Sequence, residues 1–420
     1  MGAMSRQVPD NSPVDRRLEW TVAAAVALVL AVAAPLGLSS GDGADQVAQA
    51  FGMRRPFLTA TSLADLLARI FALFPIGEAG VRAQGAGALA CVLAMTLMVA
   101  RSRLWVGKGG APSMIVGVAL CAVSRPFFET ASAHPGTAVD LCLFVGIMQA
   151  IELVQRDPER RAAGLGLALL CGLATGGGWP LRVGTWPIAA AQAAWALRRG
   201  HRWPLLAPAV FIAGAGVVLA GVVVAPVGSA TTLRMVLRQI AIPAFWGAPH
   251  PTGAREILAW VIDDAGVLGL LTATVGWGLA VRGSAQAAPV LLGWGLTIAA
   301  FLCTGDIFAV RLFVVASLAS PVALAVTSFT ATFGRARDAA VLLMAVILVL
   351  PPAVVGVRGI LETPGRRDPA LVARALDTAF DARRPGTPVP VDSEAARWWR
   401  YGRAVGLSQP RLAFGRQGPR

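Results

Sequence analysis

Charge is what this chain has least of. Of 420 residues only 14% are charged, against 56% hydrophobic, and the mean hydropathy is +0.64. A soluble protein has no use for that much apolar surface, whereas repeated runs of about 17–25 apolar residues are what a bilayer demands. Lysine is almost missing: Lys108 stands alone, so the net charge of +14 rests on arginine. Those arginines cluster between apolar runs, where they read as anchors to anionic headgroups rather than as a nucleic-acid patch. Cysteine is sparse too. Cys91, Cys121, Cys142, Cys171 and Cys303 lie in or beside apolar runs without metal-ligand spacing, which supports neither a disulfide frame nor a zinc site. There is no glycine-rich phosphate loop with Lys and Ser/Thr, no dinucleotide fingerprint and no H-E-x-x-H. The run Gly176-Gly177-Gly178 reads as a turn between spans. No repeat of solenoid period is present. No cofactor is expected, with a divalent metal left open.

What is present is a series of apolar segments. Residues 1–19 are polar, carry Pro9 and Pro13, and read as a cytoplasmic tail. The apolar stretch 20–38 exceeds the core of about 7–15 residues usual in a signal peptide, so it reads as an uncleaved first span. Residues 39–83 form a first external loop. Further spans are expected at 84–100, 112–123, 137–153, 162–174, 185–197, 205–225, 257–281, 289–303, 312–329 and 339–357. The expectation is an all-α polytopic membrane protein of about eleven spans, its membrane domain covering 20–357. Arg-rich connectors at 101–108, 156–161, 198–202, 282 and 335–337 then share the cytoplasmic side. Loops carrying Asp42, Glu129, Arg182, His250 and Asp306 share the external side. The short tail, 358–420, falls outside as well, and a bacterial inner membrane is the expected location.

The first external loop holds the densest signals. It opens with two carboxylates, Asp42 and Asp45, and continues through Gly52-Met53-Arg54-Arg55-Pro56. Ser62 and Asp65 then form an S-x-x-D cap pattern. Behind it Leu63, Leu66, Leu67, Ile70, Phe71 and Phe74 make one helical stripe ended by Pro75. A helix this short with one apolar face is expected along the membrane surface. Asp306 and Arg311, five apart between two spans, read as a salt bridge. His134, ahead of Pro135 and Gly136, reads as a polar group at a helix end. Asp263 and Asp264 are costly inside a span and are expected at the surface or along a cavity.

This order of features resembles the GT-C membrane glycosyltransferases, and in particular the protein-O-mannosyltransferase-like branch. That branch carries D-x-x-E after the first span, a G-I-A-H-P-P-G-like turn, a helix ending L-x-P and a second span. Here the matching residues are Asp42-Gly43-Ala44-Asp45, then Gly52-Met53-Arg54-Arg55-Pro56-Phe57-Leu58, then Leu63 to Phe74 and Pro75. Asp45 stands for the second acid, and of the His-Pro-Pro-Gly turn only Arg55-Pro56 is kept. A further acidic position of the family falls at or near His134. The similarity covers about the first 200 residues; beyond them only the repeated-span architecture agrees.

The resemblance implies transfer of a sugar from a polyprenyl-phosphate donor to an acceptor outside the membrane. Partners would be that lipid-linked donor, membrane lipids and an acceptor of unassigned class (protein, lipid or glycan), with no nucleic acid. Such chemistry needs a carboxylate to take the acceptor's proton and cations to hold the leaving phosphate. Asp42 is the expected base, assisted by Asp45. Arg54, Arg55, Arg182 and Arg311 are the expected phosphate ligands, since a guanidinium grips phosphate oxygens in pairs. Glu129, His134, His250 and Asp306 are expected to line the site. Two other functions fit the residues: an inactive GT-C-like scaffold that binds a partner, and a lipid transporter or flippase. The latter would show charges within spans and paired broken helices.

Overall fold

The computed structural model describes residues 17, 20–28, 62–72, 79–106, 110–223, 254–283 and 287–362. Every regular element among them is helical. A chain this apolar has no alternative in lipid, because each backbone N–H and C=O must find its partner within the segment. After a helical stretch at 20–28 come α1 (Ser62–Ala72), α2 (Ala79–Val106), α3 (Ala111–Ala122), α4 (Arg125–Ala133), α5 (Pro135–Arg156) and α6 (Arg161–Leu173). Then follow α7 (Trp179–Arg198), α8 (Trp203–Val223), α9 (Ala254–Gly283), α10 (Ala287–Thr304), α11 (Ile307–Thr330) and α12 (Arg337–Glu362).

Close contacts fix how these helices run. Arg101 of α2 meets Glu152 of α5, and Gly87 lies against Pro135, so α2 and α5 are parallel. Gly110 sits beside Thr327 and Gly117 beside Ala319, so α3 runs against α11. Gly184 meets Thr297, which sets α7 against α10, and Gly276 meets Pro321, which sets α9 along α11. The chain therefore shuttles between two ends. One end, called here the site end, collects the starts of α2, α5, α7, α9 and α11 with the finishes of α4, α6, α10 and α12. About eleven spans are expected from the sequence, and residues 29–38 of the first lie outside the described residues. By length and composition six stretches can cross a membrane, or seven if the bent pair Pro112–Ala122 and Arg125–Ala131 is one span. The last of them, Ile307–Arg358, holds both α11 and α12.

The outward faces are apolar. Leu206, Ile212, Leu271 and Leu342 each stand more than half exposed, as lipid-facing residues must. Inside, Phe144, Trp294 and Phe313 interlock at centroid distances of 4.4–6.0 Å, joining α5, α10 and α11. Where helices touch most closely the contact is a glycine, because lipid supplies no hydrophobic drive and close packing must substitute. A Cβ on Gly276 would lie 1.9 Å from the carbonyl oxygen of Pro321, a backbone atom that cannot rotate away. Gly276→Ala is therefore expected to cost about 1–3 kcal/mol through forced separation of α9 from α11. Denaturant unfolding in detergent reads this loss.

Helix α1 is where the sequence placed it, with a rotated face. Leu63, Ala64 and Ala68 are buried and Ile70 is exposed. The leucine stripe alone did not reveal these two buried alanines, and Phe71 is the side chain that packs on Gly85 of α2. Of the cysteines, Cys91, Cys121 and Cys171 are buried and Cys142 is half-buried, while Cys303 is exposed. No group of three metal-ligating side chains occurs among the described residues.

Candidate functional site

Three helices begin together at the site end. Helix α5 opens on Pro135, α7 on Trp179-Pro180 and α11 on Ile307. Proline in a first turn fits because the N–H it lacks would have no helical partner there. His134, just before α5, stacks its ring on Phe308 of α11 at 4.7 Å between centroids and 26° between planes. The starts of α5 and α7 have no side-chain cap, whereas Asp306 caps α11 by accepting the Ala309 N–H at 3.0 Å. Converging helix starts present partial positive charge and unspent N–H groups, a natural setting for an anion.

At the centre lies Asp140, in the second turn of α5 and 3% exposed. Its two carboxylate oxygens accept the Gly178 N–H at 3.2 and 3.1 Å. The glycines of this turn are a steric requirement. A Cβ on Gly177 would lie 2.6 Å from Oδ1 of Asp140, and one on Gly178 would lie 2.8 Å from Oδ2. The turn is thus a seat for the carboxylate. Arg182, one turn into α7, and Asp306 both act electrostatically on Asp140. The Arg182 guanidinium lies over the Trp186 ring at 5.8 Å, and its Nε is buried without a hydrogen-bond partner. Helix α1 closes over the same turn: the Leu63 backbone nitrogen is 3.1 Å from where a Cβ on Gly176 would sit. Helix α1 is thereby moored at the site end.

A second polar cluster occupies another face of α11. Arg311 donates from Nε to Oδ2 of Asp264 at 2.8 Å and from Nη2 to Oδ1 at 2.5 Å. Arg125 donates to Glu129 at 2.7 Å, four residues on along α4. Both pairs adjoin breaks in helices. Helix α4 departs from α3 by a 68° bend, and α9 is interrupted at Gly266, whose φ of 73° and ψ of 156° only glycine adopts readily.

Several sequence expectations are corrected by this geometry. Arg311 pairs with Asp264 and not with Asp306, because five residues along a helix place two side chains on different faces. Glu129 and Arg182 lie within helices, α4 and α7, rather than in loops. Of the two adjacent aspartates, Asp263 is exposed while Asp264 is buried and paired. Arg182 and Asp306 act on Asp140, Glu129 and Arg311 act on Asp264, and His134 stacks on Phe308 at the start of α11. Asp42, Asp45, Arg54, Arg55 and His250 lie outside the described residues. Asp140 was missed by the sequence reading. Its signal was available: an ionisable residue inside an apolar run is costly enough to mark function by default.

No family model matches the chain, and no curated protein matches it. Among solved structures it is similar to ArnT from Cupriavidus metallidurans in the apo state. The TM-score is 0.61 at 15% identity, over 91% of this chain and 84% of that one. At that identity the likeness concerns the fold alone: this is an all-α polytopic membrane protein that shares the helical architecture of that structure.

Proposed function

We propose that this protein is an integral membrane glycosyltransferase that moves a sugar from a polyprenyl-phosphate donor to an acceptor at the site end, which faces the cell exterior. One observation carries the reading. In a GT-C-like fold, a buried carboxylate, a partly unsatisfied guanidinium and the uncapped starts of two helices meet at one membrane face. The sidedness is supported by charge, since among the described residues the Arg-rich segments at 101–106, 156–161, 198–202, 282 and 335–337 lie at the opposite end.

In this mechanism the acceptor oxygen attacks the anomeric carbon and loses its proton to a carboxylate. The bond from that carbon to the phosphate oxygen breaks, and its electron pair leaves on the polyprenyl phosphate. Asp42 is assigned as the base with Asp45 beside it. Arg182 and the start of α7 receive the phosphate charge, and Arg54, Arg55 and Arg311 add to that field. Asp140 fixes the Gly177-Gly178 turn, so that the amides and Arg182 are held in place before the substrate arrives. The protein-O-mannosyltransferase branch is the proposed affiliation. The test is transfer of label from a panel of polyprenyl-phosphate sugars by the purified protein. Asp42→Asn is expected to lower turnover by about 10²–10⁴-fold, the usual share of general-base catalysis. Undiminished turnover in a folded variant removes Asp42 from the role.

The transporter reading has one observation in its favour. The α3–α4 bend and the Gly266 break adjoin the charged groups Glu129, Asp264 and Arg311. In alternating-access carriers such breaks lie at mid-membrane. Here Gly266 precedes 17 further residues of α9, about 25 Å of helix at 1.5 Å each, which places the break near one face. Surface chemistry suits that depth better.

A further inference from the structure

One corner of the end opposite the site concentrates arginine around a buried tryptophan. Helices α6 and α8 run parallel, since Gly164 lies against Trp203 and Gly172 against Phe211. Both start at this corner. Val154, Ala163, Ala196 and Trp203 pack there as one cluster, which brings in the finishes of α5 and α7. Gly200, at a φ of 83°, turns the chain back between α7 and α8. Two arginine groups thereby meet at Trp203. Arg160 and Arg161 reach it through α6, and Arg198, Arg199 and Arg202 through the α7–α8 turn. All five are exposed, and the carboxylates of these connectors are Asp157 and Glu159 alone. Among the described residues, Arg160, Arg161, Arg198 and Arg202 enter no ion pair or side-chain hydrogen bond. Arg199 lies over the Trp195 ring at 4.3 Å.

Two further observations point to an anion carried on a lipid. Trp203 is 2% exposed, and its indole N–H is buried without an acceptor, a costly state that a bound oxygen would relieve. Beside the arginines, Leu197, Leu205 and Leu206 are exposed, forming an apolar face continuous with the charged one. The start of α6 has no side-chain cap, so its amides add to the positive potential. We propose that this corner is a specific site for a phospholipid carrying two phosphodiester groups. The headgroup is shared between the two arginine groups, and the acyl chains run along the leucines. Charge sets the number of phosphates, because five guanidinium groups opposed by two carboxylates exceed what one phosphodiester neutralises. The leucines set the source, because free phosphate or an acidic peptide gains nothing from an apolar face turned to the acyl chains. The indole donates to a phosphate oxygen held between the groups.

Binding to the full-length protein in detergent tests this, with tetraoleoyl cardiolipin as the probe. Dioleoylphosphatidylglycerol, inorganic phosphate and polyglutamate are the competitors. The parent is expected to bind the probe at least about tenfold more tightly than any of them. Arg160→Gln with Arg161→Gln, and Arg198→Gln with Arg202→Gln, are each expected to weaken binding by about tenfold or more. These side chains are exposed, so the variants should fold as the parent does. Arg282→Gln with Arg335→Gln removes the same charge from α9 and the α11–α12 connection at the same end. It is expected to leave affinity within about twofold, since charges beyond a Debye length are largely screened. Trp203→Phe keeps a ring and removes the N–H, and is expected to weaken binding by about threefold or more. An equal loss in the Arg282 and Arg335 pair overturns the site in favour of general surface charge. Equal affinity for phosphatidylglycerol overturns the assignment of two phosphodiesters. Displacement by inorganic phosphate or polyglutamate at concentrations matching the probe overturns the lipid. Unchanged affinity in Trp203→Phe overturns the part given to the indole, and failure of the parent to bind overturns the whole.

Discussion

Glu152→Ala is expected to destabilise the protein by about 3–5 kcal/mol, among the largest losses any single change here should produce. Glu152 and Arg101 are each 2% exposed, deep in the bundle toward the end opposite the site. Arg101 Nε donates to Oε1 of Glu152 at 2.9 Å, and the Trp105 indole donates to the same oxygen at 3.1 Å. The Arg101 guanidinium also lies over the rings of Trp105 and Trp294, at 5.2 and 5.9 Å. Removing the carboxylate strands a full positive charge in a buried setting among aromatic rings. The corollary separates this cause from lost packing. Arg101→Met with Glu152→Met removes both charges and is expected to cost far less than the two single changes together. What remains is the Trp105 N–H left without an acceptor, about 1–3 kcal/mol. Unfolding free energies in detergent for the two singles and the double decide it. Additive losses contradict the account of a paired charge.

The second large effect belongs to the Asp140 seat. Gly178→Ala is expected to reduce transfer by about 10²-fold, the scale of a misplacement of roughly 1 Å in an organised site. The added methyl would lie 2.8 Å from Oδ2 of Asp140, too close to coexist with the present geometry. Asp140→Asn is the companion change. It keeps an oxygen to accept the Gly178 N–H while removing the charge that faces Arg182, so it should fold yet lose activity. Comparing the two separates the shape of the turn from its charge. Full activity in both variants removes Asp140 from the site.

How much of this was legible beforehand follows from what apolar sequence can and cannot encode. The all-helical membrane character was readable because lipid permits one backbone solution. The expected spans at 112–123, 162–174 and 185–197, by contrast, are helices that do not by themselves reach the length and apolarity of a crossing. Helix α1 was readable because Ser62 and the leucine periodicity are local signals. The rotation of its buried face toward Ala64 and Ala68 was not, since a small residue matters only once a neighbour approaches it. The same holds for Gly177 and Gly178. As letters they form a turn, and only the carboxylate of Asp140, 38 residues earlier, explains why no side chain is tolerated. Arg311 shows the opposite error. Its nearest acid in sequence, Asp306, is excluded by helical geometry, and its partner, 47 residues away, depends on the tertiary register of α9 and α11. Buried charges were the signal given too little weight: Asp140, Glu152 and Arg101 all lie within helices and all organise what surrounds them.

The most direct measurement is an experimental structure of the protein with a bound polyprenyl phosphate. The expected result places the phosphate at the site end, within hydrogen-bonding distance of Arg182 and the first turn of α7, with the prenyl chain descending along apolar helix faces. A phosphate found instead at the opposite end, among the Arg-rich connectors near Arg103 and Arg156, contradicts the assignment of the reacting face.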